Sequence, residues 1–266
     1  MIHWTEELFE KHPDLFLRAL EELVDDAKHE VEVLLQYLRK EGFEPRNVLD
    51  LNCGIGRHSI ELGKKDINVL GTDLSRRYVE IATKRARSEN VDRVHFKKAD
   101  MRKIASTLSK ETPFDGIINL YTSFGFYDDE TNADILRQCS DLVRPGGFFA
   151  LEIVNRDWIV RNFEEKGFTR YKGLIVLEDR EFDRISSRMR STWTYLVHRS
   201  NNNFVLERKI TLDHRIWSLH ELIELFGKNG WDYRAVYPGF GRLQKNEPAA
   251  EAHRFLLVAR KKTVAK

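Results

Sequence analysis

The sequence predicts an α/β fold: a doubly wound, mostly parallel sheet, preceded by a helical segment and interrupted late by an inserted antiparallel β-meander. Three observations carry that prediction. Val48-Leu49-Asp50-Leu51 runs through Asn52-Cys53-Gly54-Ile55-Gly56 into a helical pattern and then Val69-Leu70-Gly71-Thr72-Asp73, which is strand, glycine turn, helix and strand. Strand and helix patterns go on alternating up to Val154. Beyond it the apolar period shifts to two.

Each element has its own signal. From Pro13 to Lys40 the apolar residues Leu15, Phe16, Ala19, Leu20, Leu23, Val24, Ala27, Val31, Leu34, Leu35 and Leu38 recur at three- and four-residue steps, predicting one helical stripe that ends near Gly42. Trp4, Phe9, Phe16 and Tyr37 on this segment read either as a lid over a ligand or as core. Leu174 to Phe182, Ile185 to Val197 and Phe204 to Trp217 read as extended segments, with Ser200-Asn201-Asn202-Asn203 as a turn. In the second, Ile185, Met189, Trp193, Tyr195 and Val197 share one face, and Arg184, Arg188, Arg190, Thr192 and Thr194 the other. In the third, Phe204, Leu206, Ile210, Leu212 and Ile216 face together. The arginine face reads either as a site for an acidic acceptor or as a solvated surface. Ser218 and Glu221 form a capping box for a helix through Phe226, and Trp231–Tyr237 and Phe255–Ala259 supply two closing strands.

Length and charge bound the function. At 266 residues with 41% hydrophobic content, one α/β domain with an embellishment is expected over 1–266. Its parts are a helical segment at 1–45, a ligand-binding core at 46–155, an acceptor-side meander at 156–217 and a closing helix and strands at 218–266. The net charge of +2 argues against a long polyanion as partner, and no long apolar run or leader-like opening is found. A cytoplasmic protein is expected, with Cys53 and Cys139 unpaired. The nine histidines show no zinc-ligand spacing, and no metal is expected.

What surrounds the glycines decides which ligand suits them. A dinucleotide fingerprint runs GxGxxG and meets a pyrophosphate, but here Ser59 takes the third glycine position and Asp50 stands on the strand ahead of the turn. That carboxylate repels an anion and suits an ammonium group. Asp73, about twenty residues on, suits a ribose diol. Together these demands describe S-adenosylmethionine.

The chain resembles the class I S-adenosylmethionine-dependent methyltransferases. Asp50 to Gly56 matches the family's acidic glycine motif, with Asn52 where the first glycine is usual, a residue that tolerates the left-handed backbone. Phe96-Lys97-Lys98-Ala99-Asp100-Met101 resembles the adenine-reading segment. Phe114 to Tyr121 resembles the fourth strand, and Leu142 to Gly147 the turn before the fifth. Tyr121 to Phe126 and Val154 to Trp158 are similar to a small-molecule subgroup. The resemblance implies a Rossmann-like seven-stranded sheet. It also implies a cofactor site of Asp50, Asn52, Cys53, Gly54, Gly56, Arg57, Asp73, Leu74, Asp100, Met101, Asn119 and Leu120.

Methyl transfer from a sulphonium is an in-line displacement, so positioning supplies most of the acceleration and no protein nucleophile is needed. A base is needed where the acceptor loses a proton, and Tyr121, Glu152, His58 and His214 are the candidates. Tyr121, Phe124, Asn155, Arg156 and Trp158 follow the fourth and fifth strands, which in the resembled fold end beside the cofactor's reactive half, so the resemblance implies that they line the acceptor side of the pocket. The expected function is methyl transfer to a small molecule. The alternatives are an RNA or tRNA methyltransferase and a non-catalytic protein that keeps the cofactor fold.

Overall fold

The computed structural model describes residues 2–111, 113–199, 203–240, 249 and 251–263. Its strands are β1 (Asn47–Leu51), β2 (Asn68–Asp73), β3 (Val94–Lys98), β4 (Phe114–Asn119), β5 (Val143–Val154), β6 (Lys166–Tyr171), β7 (Leu174–Asp183), β8 (Arg188–His198), β9 (Phe204–Arg215), β10 (Trp231–Pro238) and β11 (Arg254–Lys261). Seven form one sheet in the order β10-β11-β5-β4-β1-β2-β3. Strands β1 to β5 pair in parallel, while β11 runs antiparallel to both neighbours. Connections of this kind need helices on both faces, so the strands are apolar in both directions. Leu49, Ile117, Phe149 and Leu257 pack to one side with α7 (Asp129–Leu142) and α9 (Leu219–Lys228). Val48, Ile118, Ala150 and Val258 pack to the other with α3 (Ala27–Lys40). The Ser218–Glu221 capping box starts α9.

The single N-terminal stripe is broken. A short α1 (Trp4–Glu6) runs into a π-helical turn at Glu7–Lys11, then come α2 (Pro13–Glu22) and, after a turn at 23–26, α3. The break sends the two halves to different partners. Leu17 and Leu20 of α2 pack on Ile55 and Tyr78, whereas Val31, Leu34 and Leu38 of α3 pack on the main sheet. One straight rod meets only one of these surfaces, and Asp25 and Asp26 favour the turn over a helix interior.

Strands β6 to β9 form a separate antiparallel sheet in that order. Its first strand is absent from the sequence reading because its burial alternates only between exposed and half-buried, with Phe168 exposed. Ile185 does not join the apolar face of Met189 and Tyr195: it is 98% exposed in the turn before β8, where Asp183 accepts its N–H at 2.9 Å. Phe204 and Leu206 are exposed although Ile210 and Leu212 are buried. Residues 204 to 209 of β9 are exposed on both faces, and a bulge lies within them. Tyr195 pairs with Arg208 but Leu196 with Leu206, so Glu207 is extra and every side chain before it changes face. Of the expected turn at 200–203, Ser200, Asn201 and Asn202 lie outside the described residues. Trp4, Leu8, Phe9 and Phe16 pack on the inner meander face with Val176, Tyr195 and Leu212.

Candidate active site

The carboxyl ends of β1, β2 and β4 open onto one cavity of about 330 Å³, closed by the N-terminal helices and the inner face of the meander. Asp50, at the end of β1, is 2% exposed and accepts the Ser59 hydroxyl at 2.6 Å. Asp73, at the end of β2, accepts the Gly54 N–H at 2.9 Å and the Ser75 N–H at 2.8 Å. Burial pushes each of them up to about 6. Neither makes a salt bridge among the described residues. Two buried carboxylates lining one cavity call for a cationic or hydroxyl-rich ligand, and an ammonium group with a ribose diol meets that demand. The residues therefore fit S-adenosylmethionine: Asp50 would take its ammonium group, Asp73 its diol, and Leu74 and Met101 its base.

Asn52 has φ +60°, the left-handed conformation expected at the departure from the family motif. Its Nδ2 donates to the Ser123 carbonyl at 3.0 Å and contacts the Met101 sulphur, tying the β1 turn to two neighbouring loops. Gly54, at φ +56°, lines the cavity with Cys53, whose thiol burial pushes well up. Asp100 also lines it; burial opposes its ionisation, but hydrogen bonds from Arg102 hold its carboxyl below the ordinary value. Leu120 completes this side.

Two residues of the expected cofactor set do not reach the cavity. Gly56, at φ +73°, is required by packing: a Cβ there stands 2.6 Å from the Phe96 ring and 2.9 Å from Ala82. Asn119 is fully buried between strands, donating to the Leu51 carbonyl at 2.8 Å. It braces the end of β1.

Arg57 and His58 line the cavity but are anchored to α3. Arg57 pairs with Glu30 and donates to the Leu23 carbonyl at 3.2 Å, while His58 Nε2 lies 2.7 Å from Glu30. Burial acts to raise Glu30, but the His58 and Arg57 contacts outweigh it and hold it low; burial lowers His58.

Tyr121 and Thr122 are consecutive residues with φ +61° and +57°, a strained turn of the kind that gathers at functional sites. The buried Glu152 carboxylate accepts the Tyr121 N–H at 2.8 Å and itself stays off the cavity. The Tyr121 ring sits 4.4 Å from the Arg254 guanidinium and 5.5 Å from that of Arg57. His214, on β9, also lines the cavity; its Nδ1 is buried with no hydrogen-bond partner among the described residues, and burial pushes the imidazole down to about 4.

Four residues expected on the acceptor side lie elsewhere. Phe124 is core, 1% exposed, beside Trp217. Asn155 caps α8 (Arg156–Arg161) by accepting the Asp157 N–H, and donates to Ala252. Arg156 donates to the Ser187 hydroxyl at 2.6 Å and the Arg184 carbonyl at 3.1 Å, and Trp158 packs on His253. The physical reason is the backbone bond from Asn155 N–H to the His253 carbonyl, which pulls the chain toward β11 as soon as β5 ends. Of the arginine face, Arg188 is committed to Asp213, with which it pairs at 2.8 Å.

The residues that replace them come from Arg254, Phe126, Tyr171, Glu178, Trp193 and Leu212. Trp193 and Leu212 carried a signal in the period-two pattern, but nothing local says which sheet their face covers. Arg254 had only its place at the start of an antiparallel closing strand, which puts it at the ligand edge of the sheet.

Comparison with known proteins agrees with this geometry. Residues 48–147 match the family model described as a methyltransferase domain. A ubiquinone biosynthesis O-methyltransferase of Leptothrix cholodnii is 31% identical over 111 residues, 41% of this chain and 45% of that protein, so the match spans about half of the relative's length. An S-adenosylmethionine-dependent methyltransferase from Clostridium acetobutylicum superimposes with TM-score 0.75 at 14% identity, over 95% of this chain and 98% of that one. The amino pentose methyltransferase CalS10 from Micromonospora echinaspora, solved with S-adenosylmethionine, gives TM-score 0.65 at 20% identity, over 89% and 92%. The acidic glycine turn after β1 and the acid that ends β2 both lie inside the segment that matches the methyltransferase domain model, and the chain shares the fold of S-adenosylmethionine-dependent methyltransferases.

Proposed function

We propose that the protein transfers the methyl group of S-adenosylmethionine to a small molecule held between Tyr121, Arg254 and the inner face of the meander. The observation that carries this reading is the cavity itself: the chain's own α1, α2 and meander flank the strand ends and bound a volume of small-ligand size. The names of the relatives, an O-methyltransferase of ubiquinone biosynthesis and an amino pentose methyltransferase, support a small acceptor. Among the described residues no helix is long and apolar enough to cross a membrane, and Cys53 and Cys139 are free.

The bound cofactor supplies an activated methyl group on a positively charged sulphur. The protein's part is to bind, align and dry the site. Phe9, Phe126 and Trp193 line the cavity, where their apolar rings would exclude water and tolerate a positive charge. The His214 imidazole, kept neutral by burial, receives the acceptor's proton. A base that weak acts only as the new bond forms and the acceptor atom turns strongly acidic.

The test is incubation of the enzyme and methyl-labelled cofactor with a metabolite extract and, separately, with total RNA. Label is expected in the small-molecule fraction. Label confined to RNA overturns the acceptor class.

A further inference from the structure

We infer that the acceptor carries an acidic group and that Arg254 is the residue that docks it; this rests on the methyltransferase reading above. The argument begins with the sheet. Arg254 opens β11 and pairs with Val154 at the carboxyl end of β5, so it lies on the ligand edge. From β2, which holds Asp73, the order runs β1, β4, β5, β11, and four strand spacings put the start of β11 about 19 Å from the diol-directed acid. That is the end of the cavity beyond the strand whose turn carries Tyr121, where an acceptor and not a nucleoside belongs.

The guanidinium itself is available. It lies 4.4 Å from the centre of the Tyr121 ring, and its side chain is 22% exposed. It is ion-paired with the buried Glu152 carboxylate at 3.6 Å, too long for a hydrogen bond, and that carboxylate already accepts the Tyr121 N–H. Arg254 thus donates no side-chain hydrogen bond among the described residues, in contrast to Arg57, whose donors go to Glu30 and Leu23. A guanidinium resting on an aromatic face keeps its edge donors for a planar or tetrahedral oxyanion. The opposite walls, Phe126, Trp193 and Leu212, suit an apolar body. A carboxylate or phosphate on Arg254 therefore points the rest of a small, partly apolar acid back across Tyr121 toward the methyl donor.

The experiment is calorimetry on the full chain saturated with S-adenosylhomocysteine, titrated with benzoate, phenyl phosphate and benzamide. At least one acid is expected to bind about tenfold more tightly than the amide, and which one distinguishes carboxylate from phosphate. In Arg254→Gln that preference disappears while the S-adenosylhomocysteine affinity moves less than about twofold. Arg254→Lys, which keeps the charge without the fork, serves where the glutamine variant does not fold. Benzamide binding as well as both acids, including no detectable binding of any of them, overturns the inference while leaving the methyltransferase reading in place. A loss of S-adenosylhomocysteine affinity matching the loss of acid binding assigns Arg254 to the cofactor and also overturns it. Failure of the wild-type chain to bind S-adenosylhomocysteine removes the reading on which both rest.

Discussion

Asp50 and Asp73 are ionisable groups in a cavity that leaves them little water, and each is raised from near 3.8 to about 6. Between those values the folded protein holds more protons than the unfolded chain, so the stability of the free protein falls as pH rises from about 4 to 6, by roughly a few kcal/mol for the pair. A ligand that brings an ammonium group and a diol favours the ionised forms. Its affinity therefore rises with pH through the same window. Calorimetry with S-adenosylhomocysteine is expected to show clearly tighter binding at pH 8 than at pH 5. Equal affinities would remove both carboxylates from the cofactor site.

The glycine turn joining β1 to α4 (Arg57–Gly63) is one element with two kinds of demand in it. Gly54 lines the cavity with only the flexible Leu20 side chain near its would-be Cβ, whereas Gly56 faces the Phe96 ring and Ala82 in the helix-to-sheet packing. Both have positive φ, so any side chain is strained at either position. Gly56→Ala is expected to destabilise by about 2 to 4 kcal/mol, from overpacking added to backbone strain, as read from urea unfolding. Gly54→Ala is expected to lose less stability and more cofactor affinity. If Gly56→Ala unfolded like the parent while binding failed, the packing account of Gly56 would be wrong.

At the scale of the whole molecule, the cavity is built from three parts that each bury one side against it: the strand ends, the N-terminal helices and the meander. Trp4 donates to the Asp213 carbonyl at 2.9 Å, Tyr78 to Pro13 at 2.8 Å and Arg18 to Lys172 at 3.1 Å, so the N-terminal helices are stitched to the meander and to the helix that carries Tyr78. A ligand in that cavity stabilises all three together. S-adenosylhomocysteine at about one hundred times its dissociation constant adds about 2.7 kcal/mol, which for a chain of this size raises the melting temperature by about 5 to 10 °C. A melt unmoved by the ligand at that concentration would show that the folded chain does not bind it preferentially.

The doubly wound sheet and the acid-bearing strand ends that line the cavity are legible in the sequence because they rest on short-range terms. An apolar run, a turn of glycines, a helix period and an acid at a strand end are each decided within a few residues, so Asp50, Gly54, Asp73 and Met101 are found together without knowledge of the fold. The acceptor side rests on contacts between distant segments. Arg156 follows β5 directly, as the topology suggests, yet the bond from Asn155 to His253 turns it away toward Ser187. Arg254 comes from near the other end of the chain because β11 runs antiparallel beside β5. One extra residue, Glu207, reverses the face of Phe204 and Leu206, a change that period-two patterning cannot register until the partner strand is known. The sequence by itself determined the cofactor fold, through local propensity and motif chemistry. Only the tertiary structure decided which guanidinium, which imidazole and which aromatic face line the cavity, because pairing register and chain reversal are set by packing across more than a hundred residues of separation.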